Sequence, residues 1–351
     1  MNNSISLKSI KYESIKGIFT SVANAERISR AEISKQTGLS LVTVGKIADA
    51  LLELNIVSQI KEIRPQAGRR AGLLSVNPDK YALILDVTSY AFRWSILNLR
   101  LEPLERAPYS YRSGLTFEEN FIAFLEETMH HIAQNYGLEN CFGLGVAVPG
   151  PYLEAEDLVC TSRVPELNAF HLRGIISSRY PDIPLLIDSH INAAARSHIR
   201  NLEHYEQKNI VYWYVGERYV CGVYIVKGDL VLGRNGHACE FGSLIQLTER
   251  TLDDRLSFCK NQEECAEALA ISVYNVNRIL SPHSMIFDFD LPYDCDRVIP
   301  LLNDLLTMKY RLKPNEMPEL VRAFCKFRNS HRGLTMRLRE IWLDRFVLGS
   351  E

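Results

Sequence analysis

No two cysteines of this chain stand at a Cys-x-x-Cys spacing, although eight are present, at positions 141, 160, 221, 239, 259, 265, 295 and 325. That leaves no local redox or metal-binding signature. Cys141 runs into Phe142-Gly143, and Cys221 lies between Val220 and Gly222. Such apolar surroundings predict buried free thiols in a reducing compartment rather than disulfides. Also absent is any apolar run near the roughly 18 residues that span a bilayer. Met1-Asn2-Asn3-Ser4 opens without the charged-then-apolar region of a secretory signal. No membrane contact is expected, and the expected location is the cytoplasm.

A length of 351 residues with 46% hydrophobic and 23% charged side chains suits two ordinary globular domains with substantial cores. The net charge of -2 is unevenly spread. Residues 1–80 hold twelve Lys and Arg against seven Asp and Glu, whereas the rest holds 28 against 35. A basic head on an acidic body is the pattern of a protein whose one end meets nucleic acid.

In that head, Ile10, Ile15, Ile18, Phe19 and Val22 recur at mainly helical spacing. Ser29-Arg30-Ala31-Glu32 reads as a capping box opening a second helix, which carries Ala31 and Ile33 inward and stops at Thr37-Gly38. Leu39 is expected in the core. Ser40 caps a third helix whose inner face is Val44, Ile47, Ala48, Leu51 and Leu52. Two helices joined by a glycine-containing turn of this length make a helix-turn-helix. The opposite face presents Leu41, Val42, Thr43, Gly45 and Lys46 to base edges and phosphates in a major groove. Residues 56–62 alternate like a strand, and Leu73 to Val76 is a second one. Between them, Gly68-Arg69-Arg70-Ala71 forms the tip of a wing whose guanidiniums reach phosphates or the minor groove. The DNA-binding expectation therefore rests on Leu41, Val42, Thr43, Lys46, Gly68, Arg69 and Arg70.

From residue 81 onward strands and helices alternate. Tyr81 to Val87 is a buried strand with Phe92 to Leu99 as its hairpin neighbour, and Phe117 to Tyr136 is an amphipathic helix. Gly143 to Val148 is a second buried strand, ending in Pro149-Gly150, and Ile183 to Ile187 a third, which runs into a helix beginning at Asn192. Ile210 to Val215 and Cys221 to Val226 make a strand pair. This suits an α/β, two-lobed body of the actin-like ATPase type.

Residues 29–57 and Gly68-Arg69-Arg70-Ala71 closely resemble the DNA-binding segment and wing of the ROK family (repressors, open reading frames, kinases), in the branch containing the xylose and N-acetylglucosamine repressors. The resemblance continues through the body in Gly143 to Pro151, Asn192 to Ala195, Asn235 to Gly242 and Cys265-Ala266-Glu267. Gly45 departs from the small polar residue usual at its position and costs the helix about 1 kcal/mol relative to alanine. The implied layout is a winged helix-turn-helix over 1–80, then a ROK-type sugar-kinase-like domain over 81–351. Its small lobe is 81–187 plus the C-terminal helix, and its large lobe is 188–333.

Kinase members of that family bind ATP through glycine-rich turns and deprotonate a sugar hydroxyl with an aspartate. Here the first turn reads Asp86-Val87-Thr88-Ser89-Tyr90, without glycine. The second reads Gly216 to Gly222 with bulky residues between, and a late Gly-Gly-Gly turn reads Phe287-Asp288-Phe289-Asp290. His190 stands where the catalytic aspartate belongs. No phosphotransfer is expected, so the chain is read as a non-enzyme. For sugar recognition the resemblance implies Glu240 and Glu267, with His190 and Asn192 near them, whereas Ser243 and Ser189 replace a family His and Asn. The two glutamates either hydrogen-bond sugar hydroxyls or cap and pair within the fold. His237 is a further ligand-contact candidate. The family's zinc site keeps Cys265, with Cys259 nearby, too few thiolates for a closed tetrahedral centre. No metal or cofactor is expected.

The expected function is sequence-specific regulation, in the sense of repression, of carbohydrate-metabolism genes. The expected partners are a double-stranded DNA operator, a sugar or sugar-phosphate effector, and further copies of the chain as a homodimer or dimer of dimers. One alternative keeps the DNA binding but replaces the small effector with a protein partner. Another is an active sugar kinase with an accessory head.

Overall fold

The structure is a computed structural model, and it describes residues 2–61, 72–87, 91–161, 164–199, 202, 204–217, 219–236, 238–246, 249–323 and 329–348. Helix α1 (Asn2–Asn24) leads to strand β1 (Ile28–Ser29), helices α2 (Arg30–Thr37) and α3 (Leu41–Glu53), and strands β2 (Val57–Lys61) and β3 (Gly72–Val76). Strands β4 (Tyr81–Val87), β5 (Phe92–Asn98) and β6 (Pro103–Tyr109) precede helix α4 (Phe117–Asn135) and strand β7 (Cys141–Val148). The short strands β8 (Tyr152–Leu153) and β9 (Leu158–Val159), helix α5 (Leu172–Arg179) and strand β10 (Leu185–Ser189) come next. Helix α6 (His190–Ile199) is followed by strands β11 (Asn209–Gly216), β12 (Val220–Val226) and β13 (Asp229–Val231). Helices α7 (Leu252–Leu256) and α8 (Gln262–Leu280), strand β14 (Ser284–Asp290), helix α9 (Val298–Asp304), strand β15 (Glu319–Arg322) and helix α10 (Asn329–Leu348) follow.

The chain divides into two compact units. The first holds Met1–Ala147, Phe170–Ile187 and Leu334–Glu351, and the second Val148–Ala169 and Asp188–Gly333. In the first, α1, α2 and α3 enclose a core of Ile18, Val22, Ile33, Val44, Ala48 and Leu51. A three-stranded sheet, β1-β3-β2, closes it with Ile28, Ile56 and Leu74. Strand β1 was not expected. It is two residues long, and Ser29 both ends it and caps α2, so no alternation is visible in sequence. Ala31 is exposed rather than inward, because a helix of eight residues points one short stripe at the core and Ile33 occupies it. Leu39 is half-buried.

The first unit also holds a five-stranded sheet of order β10-β7-β4-β5-β6. Every residue of β4 is buried, with β5 antiparallel on one side and β7 parallel on the other. One face of α4 (Phe121, Phe124, Leu125, Met129, Ile132) covers the sheet, and the Phe124 ring stacks on Phe92 at 5.1 Å. Arg100, in the β5–β6 turn, fastens this sheet to the head. Its Nη2 donates to the carbonyls of Ala25 (2.9 Å) and Glu26 (2.6 Å) and to Ser75 Oγ (3.0 Å). Arg339 of α10 lies over the Phe19 ring of α1, 5.4 Å from its centroid.

The second unit repeats the same plan in the order β13-β12-β11-β14-β15. Central β11 has antiparallel β12 on one side and parallel β14 on the other, as β4 has β5 and β7. This duplicated strand order is the actin-like architecture. Alternation along β11 sends Val211, Trp213 and Val215 to the α8 face with Leu269 and Val273. Ile210 and Tyr212 go to the other face with Ala194, Ala195 and Ile199 of α6. Helix α6 starts at His190, two residues earlier than expected, because Ser189 Oγ accepts the Asn192 N–H at 3.2 Å and so caps the helix. Among the described cysteines none is in a disulfide; Cys265 and Cys295 are buried and the other five half-buried. Burial pushes the Cys265 thiol up to about 12 and that of Cys141 to about 11, which keeps both protonated and unreactive.

Candidate nucleic-acid interface and effector site

The start of α2 is closed from both sides. Ser29 Oγ accepts the Glu32 N–H at 3.2 Å, and the Glu32 carboxylate accepts the Ser29 N–H at 2.8 Å. The Ser29 N–H and the Ser29 hydroxyl, which donates at 2.7 Å, hold the Glu32 carboxyl below its ordinary range. The helix ends at Gly38, whose φ of 70° is left-handed and whose N–H bonds the Ser34 carbonyl at 3.0 Å. Ser34 Oγ then donates to the Leu39 carbonyl at 2.6 Å, and Ser40 Oγ accepts the Thr43 N–H at 3.1 Å to start α3. Arg30 of α2 pairs with Asp49 of α3 at 2.6 Å.

With Val44, Ala48 and Leu51 buried, the opposite face of α3 is open to solvent. Leu41 is 59% exposed and Val42 68% exposed, and Lys46 is exposed with them. A Cβ at Gly45 would meet nothing within 4 Å. Thr43 is half-buried, and its hydroxyl lies 2.9 Å from Ser40 Oγ in the helix cap. Strands β2 and β3 pair out to Lys61↔Gly72. Gly68, Arg69 and Arg70 lie outside the described residues.

The effector candidates stand in the second unit. His190 and Asn192 sit together at the start of α6. His190 Nδ1 is 2.7 Å from the Val148 carbonyl, which can only accept, so Nδ1 carries a hydrogen and donates to it. Asp188 Oδ1 accepts the Ser189 N–H at 2.8 Å and the Asn192 Nδ2 hydrogen at 3.0 Å. The segment after Val148 is held by Thr161 Oγ1, which donates to the Pro149 carbonyl at 3.3 Å, and by the Cys160 N–H, which donates to the Pro151 carbonyl at 2.8 Å.

Glu240 and Glu267 stand on separate elements. Glu240 follows a loop with left-handed backbone at Gly233, Asn235, Gly236 and Cys239. Gly236 is there for close approach, since a Cβ would come within 2.6 Å of Pro151 Cβ. Glu267 projects from α8. Both glutamates are exposed, and neither carboxylate makes a hydrogen bond or ion pair among the described residues. His237 lies outside the described residues.

The two described kinase-type turns have a different content. At the β11–β12 turn the Gly216 N–H bonds the Tyr219 carbonyl at 3.0 Å. The Tyr219 ring stacks on Tyr214 at 5.1 Å, and Tyr214 OH donates to Asp290 at 2.7 Å. One step along the same strands, Tyr212 OH donates to Asp288 at 2.6 Å. Two aromatic rings thus occupy the turn where glycines would leave backbone amides open. Sequence reasoning missed this ladder, although Tyr212, Tyr214, Asp288 and Asp290 alternate visibly. It also read Phe287 to Asp290 as a turn. These residues are the end of β14, paired with β11 from Trp213↔Phe287 to Gly216↔Asp290, because their alternation extends the strand. Asp86 is buried near the end of β4, and Thr88 to Tyr90 lie outside the described residues. The family's zinc centre does not fit these side chains. Ser243 replaces its histidine, and among the described residues no three His, Cys, Asp or Glu stand together as a metal site.

Residues 91–280 match the model of the ROK family. The chain belongs to the ROK family. Among its ROK relatives, the xylose repressor of Bacillus spizizenii is 26% identical over 225 residues, 62% of this chain and 56% of that protein. The chain therefore spans little more than half the length of the curated relatives it matches. A ROK family transcriptional regulator described as a homolog of the E. coli MLC protein superposes with a TM-score of 0.69 at 14% identity. The superposition covers 97% of this chain and 100% of that one. The ROK hexokinase from Thermus thermophilus superposes with a TM-score of 0.56 at 16% identity, over 73% of this chain and 97% of that one. At these identities the structural likeness establishes the actin-like sugar-kinase fold of the ROK body. Among the described residues no helix is long and apolar enough to cross a membrane.

Proposed function

We propose that this ROK protein is a cytoplasmic DNA-binding transcriptional repressor of carbohydrate genes, working through an N-terminal winged helix-turn-helix. The observation that carries the reading is the α2–Gly38–α3 unit: capped at both helix starts, core-facing on Val44, Ala48 and Leu51, and open on Leu41, Val42 and Lys46. A second helix held this way has its N-terminal residues free to meet base edges in a major groove. The excess of basic residues in 1–80 supplies the attraction for phosphates. Thr43, Gly68, Arg69 and Arg70 complete the proposed interface, the last three as a wing over the minor groove or backbone. The repressor reading is further supported by what the curated relatives are called.

The body acts as a sensor in this reading and transfers no phosphate. Support comes from the Tyr214–Tyr219 stack in the second glycine turn and from His190 at the position of the catalytic base. A sugar or sugar phosphate is held through His190, Asn192, Glu240 and Glu267. The two carboxylates are exposed and make no hydrogen bond or ion pair among the described residues, which favours such an effector over purely structural roles. Two copies of the chain bind a two-fold operator, and effector binding shifts the population away from the DNA-competent arrangement.

The direct test is selection of duplexes from a random DNA pool by the purified chain. Enrichment of a two-fold-symmetric motif is expected. A pool that stays random after repeated rounds would refute the reading.

A further inference from the structure

The first two residues of α3 have side chains that can neither donate nor accept a hydrogen bond. Leu41 is 59% exposed and Val42 68% exposed, and among the described side chains of residues 13–53 no other large apolar one is exposed. Of residues 41–46, only Lys46 keeps an exposed side chain that can hydrogen-bond. The Thr43 hydroxyl is turned into the cap at Ser40, 2.9 Å away, and Gly45 has no side chain. Leu41 and Gly45, and Val42 and Lys46, are four residues apart and share a face. That face is therefore an apolar tip, an open notch and a single ammonium. The charge of the head, twelve Lys and Arg against seven Asp and Glu over residues 1–80, selects a polyanion as its occupant.

We infer that Leu41 and Val42 read the C5-methyl groups of thymine, so that each half-site carries A·T pairs where the start of α3 enters the major groove. In that groove the thymine methyl is the one base-edge feature recognised by apolar contact alone. The notch at Gly45 lets the helix settle close to the base edges, and Lys46 takes an adjacent phosphate. This inference rests on the DNA-binding reading of the head.

The test starts from duplexes enriched out of a random pool by the full-length protein. Each thymidine of the enriched motif is replaced singly by deoxyuridine, which deletes the methyl and leaves the pairing intact, and affinity is read by fluorescence anisotropy. One or two positions per half-site are expected to lose affinity about 3- to 5-fold, the transfer value of one methyl group. In Val42→Ala or Leu41→Ala the uracil and thymine duplexes at that position are expected to bind equally. Both side chains are exposed, so folding is retained, and circular dichroism checks it. Uracil duplexes that all bind within 1.5-fold (about the assay's resolution), or a sensitivity that survives in both variants, would overturn the inference and leave DNA binding standing. A pool that yields no motif would overturn both and leave the α3 face to a protein partner.

Discussion

Replacing Arg100 with alanine should loosen the head from the sheet that carries it. A single nitrogen, Nη2, supplies all three contacts, to Ala25 O, Glu26 O and Ser75 Oγ. It has two hydrogens, so at most two strong bonds are lost. Hydrogen bonds to a charged group are worth about 1.5–3 kcal/mol each, which sets a gross loss of roughly 3–6 kcal/mol. Two corrections reduce it. Arg100 is only half-buried, so water replaces part of what is removed. Its Nε is buried without an acceptor, a penalty of about 1–3 kcal/mol that alanine relieves. The net destabilisation is then about 2 kcal/mol, which lowers the transition of a unit of this size by about 4–8 °C. Differential scanning calorimetry with limited proteolysis is the assay. The variant should melt earlier and be cut sooner at the connection between β3 and β4. Arg100→Lys, which keeps the charge but not the fork, should fall between the two. An unchanged melting temperature and cleavage pattern in Arg100→Ala would refute the reasoning.

Gly38→Ala should destabilise the head by about 1–2 kcal/mol in chemical unfolding. Space is not the obstacle, since nothing lies within 4 Å of a Cβ there, but φ is 70°. Gly45→Ala should do the reverse and stabilise by up to about 1 kcal/mol, because its Cβ also meets open space and its backbone is helical. A destabilised Gly45→Ala protein would show that α3 is held differently. His198 is half-buried, stacked on Tyr212 at 5.5 Å, and faces Asp288, Asn329 and Arg332. Burial holds it below its ordinary 6.5 despite the opposing pull of Asp288. The unfolded chain therefore protonates first. Stability is full above pH 6.5 and declines as pH falls from there toward the folded value. Urea unfolding at pH 7.5 and 5.5 should show this decline for the wild type and a weaker one for His198→Gln; equal slopes would contradict it.

The path from α2 through Gly38 to α3 was largely legible because its signals are local. Ser29 and Glu32 cap each other, Gly38 takes a conformation other residues avoid, and Ser40 starts α3 where expected. What escaped was set by tertiary pairing. Strand β1 exists because β3 is there to pair with it, through Ile28↔Leu74. Residues 287–290 were matched to a family turn, and their strand pairing with β11 depends on residues some 74 positions earlier. In the body, buried strands such as β4 announced themselves as apolar runs, whereas the duplicated strand order is set by pairing between distant strands and was not legible. The effector candidates rest on the family resemblance alone. Nothing local marks Glu240 or Glu267, and the left-handed loop that presents Glu240 becomes visible only with the backbone in view.

The central claim, that this ROK chain is a working sequence-specific repressor, is tested most directly by mapping its bound sites across the genome of its native host. The account predicts a few sharp peaks that share a two-fold motif beside carbohydrate uptake or breakdown genes, lost when the effector sugar is supplied. No enrichment over background under any carbon source would contradict it.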